Sequence, residues 1–347
     1  MKPIINPSDI QRILVEFTTR CNLRCAYCAK TLVKDDRSFD MPEELLNHII
    51  DFIIKYRTNY VCINGHGETT LYRNWHLYSQ KMLDHGIKLG MITNMSRKLT
   101  DEEIHTFSRF STIEVSCDTA DPELFRRLRG GADLNRLLGN IVEIRNRASM
   151  ENREPPVFSF SCLLSDQNVF GLEEYVKIGM QYGIEAYNFC NLIKYDGVPV
   201  RHITELPDEQ FQDAVVLFRA TVAVLQKHGK KVFFPYGLID SIKRRLEKKG
   251  NDHSDEGKKE YQNSEHPDET RDCPDPWVTI FCHADGTVAP CCQYVSFGNL
   301  NECSLEEILN GEEMVAIRNG IISGKLYKHC KTCGIAGWRK ITEDEKG

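Results

Sequence analysis

No stretch of this 347-residue chain is apolar over the length needed to cross a membrane, and its most helix-like apolar segment, DAVVLFRATVAVLQ, is interrupted by Arg219. The amino-terminal MKPIINPSDIQRILVEF has neither a basic start followed by an apolar run nor a small-residue cleavage site, so no secretory signal is expected. Neither sign of charge dominates: 44 Lys and Arg face 50 Asp and Glu, a formal net of -6, which argues against a large nucleic-acid footprint and for neutral or cationic substrates. Internal repeats are absent. These absences predict a soluble cytoplasmic protein with no membrane partner, long enough for about two domains. Disulfides are not expected in that setting, so the 14 cysteines need another explanation.

Three of them, Cys21, Cys25 and Cys28, crowd into FTTRCNLRCAYCAK. Thiolates are soft ligands suited to zinc or to iron-sulfur clusters. Three in one loop leave a tetrahedral metal, or a cubane of iron and sulfur, one ligand short. An iron left open can bind a substrate or cofactor and pass it an electron. Structural zinc is the alternative that the ligands alone allow.

From residue 12 onward, short β-branched or aromatic runs alternate with amphipathic stretches, the pattern of strand-helix units around a parallel sheet. Six strands are predicted, at about residues 12–18, 60–64, 87–93, 112–117, 157–163 and 184–192. Right-handed crossovers would curl them into an incomplete (β/α)6 barrel of TIM type, an α/β fold whose chemistry sits at the C-terminal strand ends. The triad follows the first strand directly. Strand alternation turns Glu114, Ser116 and Asp118 inward and Cys117 and Cys162 outward against helices, and it aims Cys62 and Cys190 into the lumen, where a thiol can donate a hydrogen atom. A helix near 208–228 and a strand at KVFFP follow. Residues 251–272 hold eight acids, three Lys or Arg and no aliphatic side chain, so they read as a solvated linker. The expected division is residues 1–235 for the barrel, 236–272 for a helix and the acidic linker, and 273–347 for a small cysteine-rich unit. In that last unit Asp285-Gly286 predicts a hairpin turn, and Cys273, Cys291, Cys330 and Cys333 can converge on one cluster or on zinc.

The C-x3-C-x2-C spacing of Cys21, Cys25 and Cys28 resembles the radical S-adenosylmethionine (SAM) superfamily. That resemblance implies a four-iron, four-sulfur cluster whose open iron is filled by SAM, with reductive cleavage to a 5'-deoxyadenosyl radical. GHGETTLY after the second strand resembles the superfamily's Gly-Gly-Glu motif at Gly67 and Glu68, although His66 replaces the first glycine and Thr69 stands where proline is common. MITNMS and EVSCDT resemble segments lining the SAM pocket, which carries a cofactor-binding role to Thr93, Asn94, Ser116 and Asp118. Arg129 in LFRRLRGG resembles an arginine facing the ribose or carboxylate, and Tyr27 an aromatic packing near adenine. The C-terminal cysteines look like the SPASM/Twitch extension, which implies an auxiliary four-iron cluster on Cys273, Cys291, Cys330 and Cys333. The pattern's further cysteines are missing, since position 339 is Arg339 and none follows Cys333. One auxiliary cluster is therefore expected, with Cys282, Cys292 and Cys303 unassigned.

The expected function is hydrogen abstraction from a small polar metabolite of amino-sugar or aminocyclitol type. Electron loss to the auxiliary cluster would follow, and a flavodoxin- or ferredoxin-type donor would supply the reducing electron. Only 20 residues precede Cys21, which leaves no room for an N-terminal peptide-recognition domain. The alternatives are a maturase that cross-links or epimerises a short peptide, with Cys190 or Cys62 as hydrogen donor, and a zinc-binding scaffold without redox chemistry.

Overall fold

A computed structural model describes residues 2–32, 38–192, 197–234, 237–248, 268–291, 296–333 and 335–342. Six parallel strands, β1 (Arg12–Val15), β2 (Tyr60–Ile63), β3 (Lys88–Thr93), β4 (Thr112–Ser116), β5 (Val157–Leu163) and β6 (Ala186–Cys190), lie side by side in sequence order. Helices join them, so the chain builds the incomplete barrel its periodicity predicts. Alternation explains the layers. In β5 Phe158, Phe160 and Cys162 are fully buried under the helices while Ser159 and Ser161 face the lumen, and Cys117 of β4 is likewise fully buried.

The sheet continues past these six. β7 (Lys231–Phe233) extends it parallel to β6. On the other side β9 (Thr279–Cys282) pairs in parallel with β1, Arg12 opposite Thr279 and Val15 opposite Cys282. The turn around Asp285-Gly286 then leads into antiparallel β10 (Thr287–Ala289), followed by β11 (Gly298–Asn299). The hairpin of the cysteine-rich unit is thus part of the barrel sheet.

One expectation is corrected here. The last four residues of the supposed linker form β8 (Glu269–Asp272), which pairs with β12 (Gly337–Lys340) and buries Thr270 and Arg271. Charge averaged over 22 residues hid a short strand whose partner lies at Gly337–Lys340. The linker's residues 251–267 lie outside the described residues. Among the described residues no helix is long and apolar enough to cross a membrane.

Arg318, fully buried in the helix Glu312–Ser323, ties the chain's beginning to its end. Its Nε donates to the carbonyl of Pro276 at 2.8 Å, and Nη1 donates to those of Leu309 at 2.8 Å and Pro3 at 3.0 Å. Burial pushes its pKa down to about 10, still charged at neutral pH. Arg318→Met removes the donor from all three carbonyls and should cost about 3 kcal/mol. Urea unfolding should show a lower midpoint at unchanged slope; an unmoved midpoint would contradict this role.

Candidate active site

The C-terminal ends of the parallel strands open onto a cavity of about 410 Å³ lined by Cys21, Cys25 and Cys28. Gly67, Glu68, Thr93, Asn94, Ser116, Tyr27 and Arg129 line it as well, with Cys190 and Asn191 at the end of β6. Gly67 is required by close approach: a Cβ there would stand 2.2 Å from the carbonyl oxygen of Thr18 and 2.5 Å from that of Arg20. The loop after β2 is thereby pressed onto the segment leading into the triad, and Glu68 N donates to Arg20 O at 2.7 Å.

Glu68 and Asp118 are turned away from the cavity's centre. The buried Glu68 carboxylate accepts from Thr70 Oγ1, Thr93 Oγ1 and Asn94 N, each at 2.8 Å, so it shapes the wall. Asp118 is not among the lining residues. It accepts from Arg129 Nε at 2.6 Å, Arg129 Nη2 at 3.0 Å and Leu163 N at 2.9 Å, and also from the hydroxyl of Tyr27. Asp118 therefore aims two side chains that do line the cavity. Cys190 sits 3.5 Å from Ser161 Oγ, and burial pushes its thiol up to about 11. Cys62 lies outside the lining, and burial beside Glu114 pushes it up to about 12.

A second cavity gathers the other predicted set. Cys273, Cys291, Cys330 and Cys333 line it among Pro276, Pro290, Ile317 and Ile321. Burial pushes Cys273 and Cys330 up to about 11, with Arg271 opposing the shift at Cys330. Cys282 is fully buried in the core on β9, Cys303 is exposed elsewhere, and Cys292 lies outside the described residues.

Residues 15–174 match the family model of the radical SAM superfamily, and residues 273–334 match that of an iron-sulfur cluster-binding domain, SPASM. The chain is a radical SAM protein with a SPASM domain. It is 22% identical over 349 residues to the tungsten-containing aldehyde ferredoxin oxidoreductase cofactor-modifying protein of Pyrococcus furiosus, covering 93% of this chain and 87% of the relative. A GTP 3',8-cyclase of Rhodopseudomonas palustris is 26% identical over 42% of this chain, and the match spans only 44% of the cyclase's own length. Streptococcus suis SuiB, solved with SAM, shares the fold with a TM-score of 0.63 at 14% identity, over 88% of this chain and 67% of SuiB.

These two domains imply SAM, a SAM-binding four-iron cluster and auxiliary cluster chemistry, and the donor sets fit. Three soft thiols on one cavity suit a cluster that keeps an iron open. Burial raises Cys21 and pushes Cys25 up to about 11, so cluster assembly must displace protons from these thiols.

Sequence reasoning missed Glu16, the buried residue just past β1. Its Oε1 accepts from the backbone N of His66 at 2.5 Å and lies 3.3 Å from His66 Nδ1. Its Oε2 accepts from Ala284 N at 3.2 Å and lies 3.8 Å from His283 Nδ1. Burial opposes its ionisation, but the hydrogen bonds from His283, His66 and Ala284 outweigh burial and hold the carboxyl well below the usual range. A Cβ on Gly65 would strike this side chain at 2.3 Å. The available signal was an acid closing the apolar run ILV at the end of a buried parallel strand.

Two outcomes follow. Asp118→Asn leaves the buried Arg129 without its ionic partner and should cost about 3 kcal/mol, with weaker SAM binding to the reconstituted protein by calorimetry; unchanged affinity would contradict the aiming role. Glu16→Gln should change how stability depends on pH. Because the Glu16 carboxyl titrates lower in the folded chain than its unfolded value of about 4.3, its contribution is full above that value and is lost as pH falls through the folded pKa. His66 is raised by Glu16, so its contribution is full below about 6.5 and is lost as pH climbs past the raised value. Urea midpoints should show a wild-type advantage that shrinks towards both extremes. An advantage independent of pH would sink this reading.

Proposed function

We propose that this protein is an oxidoreductase that takes a hydrogen atom from a C–H bond of a peptide segment held between its two cysteine sites. One observation carries the choice of substrate. A groove of about 650 Å³ shares the wall residue Asn191 with the triad cavity and Cys333 with the second cysteine cavity, so it lies beside both. With SAM filling the first cavity, the substrate takes the groove, whose size and open polar lining suit a chain segment. SuiB, also solved with its precursor peptide SuiA, supports this direction.

When bound, the triad cluster and SAM supply an electron and a 5'-deoxyadenosyl radical, while the auxiliary cluster supplies an electron acceptor. The chain's own residues position and enclose. Gly67 lets the loop after β2 close onto the segment leading into the triad, and Arg129, aimed by Asp118, presents a guanidinium suited to a carboxylate. Tyr27 covers one wall. Asn191 stands where cavity and groove meet, and its Oδ1 accepts from Nε2 of buried His202. That tautomer follows because Nδ1 of His202 accepts from Thr204 N at 3.1 Å. The Asn191 NH2 donates one hydrogen to Ser241 Oγ at 3.5 Å and keeps its second N–H to offer a ligand. The reducing electron comes from a flavodoxin- or ferredoxin-type donor. A small polar metabolite is the second reading, favoured by the full-length match to a cofactor-modifying protein. A short precursor-peptide gene beside this one would decide for the peptide.

Cys25→Ala should abolish reductive formation of 5'-deoxyadenosine, whereas Cys330→Ala should lower product far more than SAM cleavage. Equal loss of both activities in folded variants would make separate roles untenable. With the physiological substrate, oxidation predicts a product lighter by about two mass units and free of solvent deuterium at the reacting carbon. Unchanged mass in ordinary water, with one deuterium gained in heavy water, would instead mean epimerisation, and Cys190 would be the first donor to replace.

A further inference from the structure

Arg271 lies two positions before Cys273, and both residues line the cavity of the four SPASM thiols. β8 ends at Asp272, so Cys273 follows the strand directly. The arginine is 5% exposed. Its Nε donates to the carbonyl of Cys330 at 2.7 Å, Nη2 to that of Lys331 at 2.7 Å, and Nη1 to that of Ala336 at 2.9 Å. Its guanidinium lies 3.9 Å from the ring centroid of Trp338, the residue directly opposite it in the β8–β12 ladder. Arg271 therefore clamps the segment that carries two of the four thiols.

We propose that Arg271 is the positioning residue of the auxiliary site and that its charge holds up the reduction potential of the cluster bound there. The proposal rests on the reading that Cys273, Cys291, Cys330 and Cys333 bind that cluster. The guanidinium stays protonated while its N–H groups bond three carbonyls. Reduction adds negative charge to a cluster, and a nearby buried cation favours the reduced form. The direction suits an acceptor that must take an electron from a substrate radical. A lysine could supply charge but not a planar fork that reaches three carbonyls at once.

The test uses the full reconstituted protein, with Arg271→Met and Arg271→Lys, and reads two quantities for the cluster whose EPR signal does not respond to SAM. These are its midpoint potential and the chelator concentration that strips its iron. In the Met variant the potential should shift downward and the iron should yield at about a 10-fold lower chelator concentration, as for other outer-shell contacts. The SAM-responsive cluster should keep both values, which also reports that the barrel is folded. The Lys variant should keep a potential near wild type while its iron is lost as readily as in the Met variant. A Met variant with unshifted potential and wild-type chelator resistance overturns the proposal. So does a Lys variant whose potential falls as far as the Met variant's, because geometry and not charge would then set it. If the Met variant binds no auxiliary iron, the Lys variant alone decides by the same criterion. Wild-type protein lacking any SAM-unresponsive cluster would overturn the cluster reading and this proposal together, whereas an intact wild-type cluster with unshifted variants overturns this proposal alone.

Discussion

Glu16 stands between the two loops on which the arrangement depends. One is the loop after β2, which presents His66, Gly67 and Glu68 to the triad cavity; the other is the β9–β10 turn of the SPASM hairpin. A buried carboxylate is costly unless its oxygens are satisfied. Here one oxygen is given to each loop, so the charge is stable only when both are in place. That makes Glu16 a latch between the radical-generating end of the barrel and the auxiliary domain. β1 supports it mechanically, because β2 pairs with one edge of that strand and β9 with the other.

The same economy governs the cavity wall. Asp118 and Glu68, each buried, spend their acceptors on neighbouring protein groups and so fix the positions of Arg129, Tyr27, Thr93 and Asn94. Preorganisation of this kind keeps the residues facing the cofactor from paying an ordering cost when it binds. The thiols differ. Cys25, Cys273 and Cys330, all pushed up by burial, remain protonated until metal draws the protons off, so cluster assembly and local electrostatics are linked.

Much of this was legible in the sequence. The six parallel strands follow from hydrophobic periodicity, the inward and outward cysteines from strand parity, and the two cysteine sets from spacing and family resemblance. What escaped were facts set by distant pairing. Nothing local shows that Thr279–Cys282 lies against Arg12–Val15, or that Arg271 meets Trp338 across a two-stranded ladder. Resemblance carries a cofactor-binding role to Asp118, and only the fold shows that its carboxylate is bonded to Arg129 and Tyr27, which line the cavity. Glu16 was invisible as a latch because its two partners come from the β2 and β9 loops, some 50 and 268 positions away.

The central claim is that two separate thiol sets hold two clusters of different kinds on one sheet. Mössbauer spectroscopy of anaerobically reconstituted protein, wild type beside the variant with Cys21, Cys25 and Cys28 all changed to Ala, tests it most directly. The account predicts about eight irons per chain in the wild type and about four in the variant, the survivors indifferent to SAM. Zinc in place of iron, or a variant that loses all its iron while folded, would contradict it.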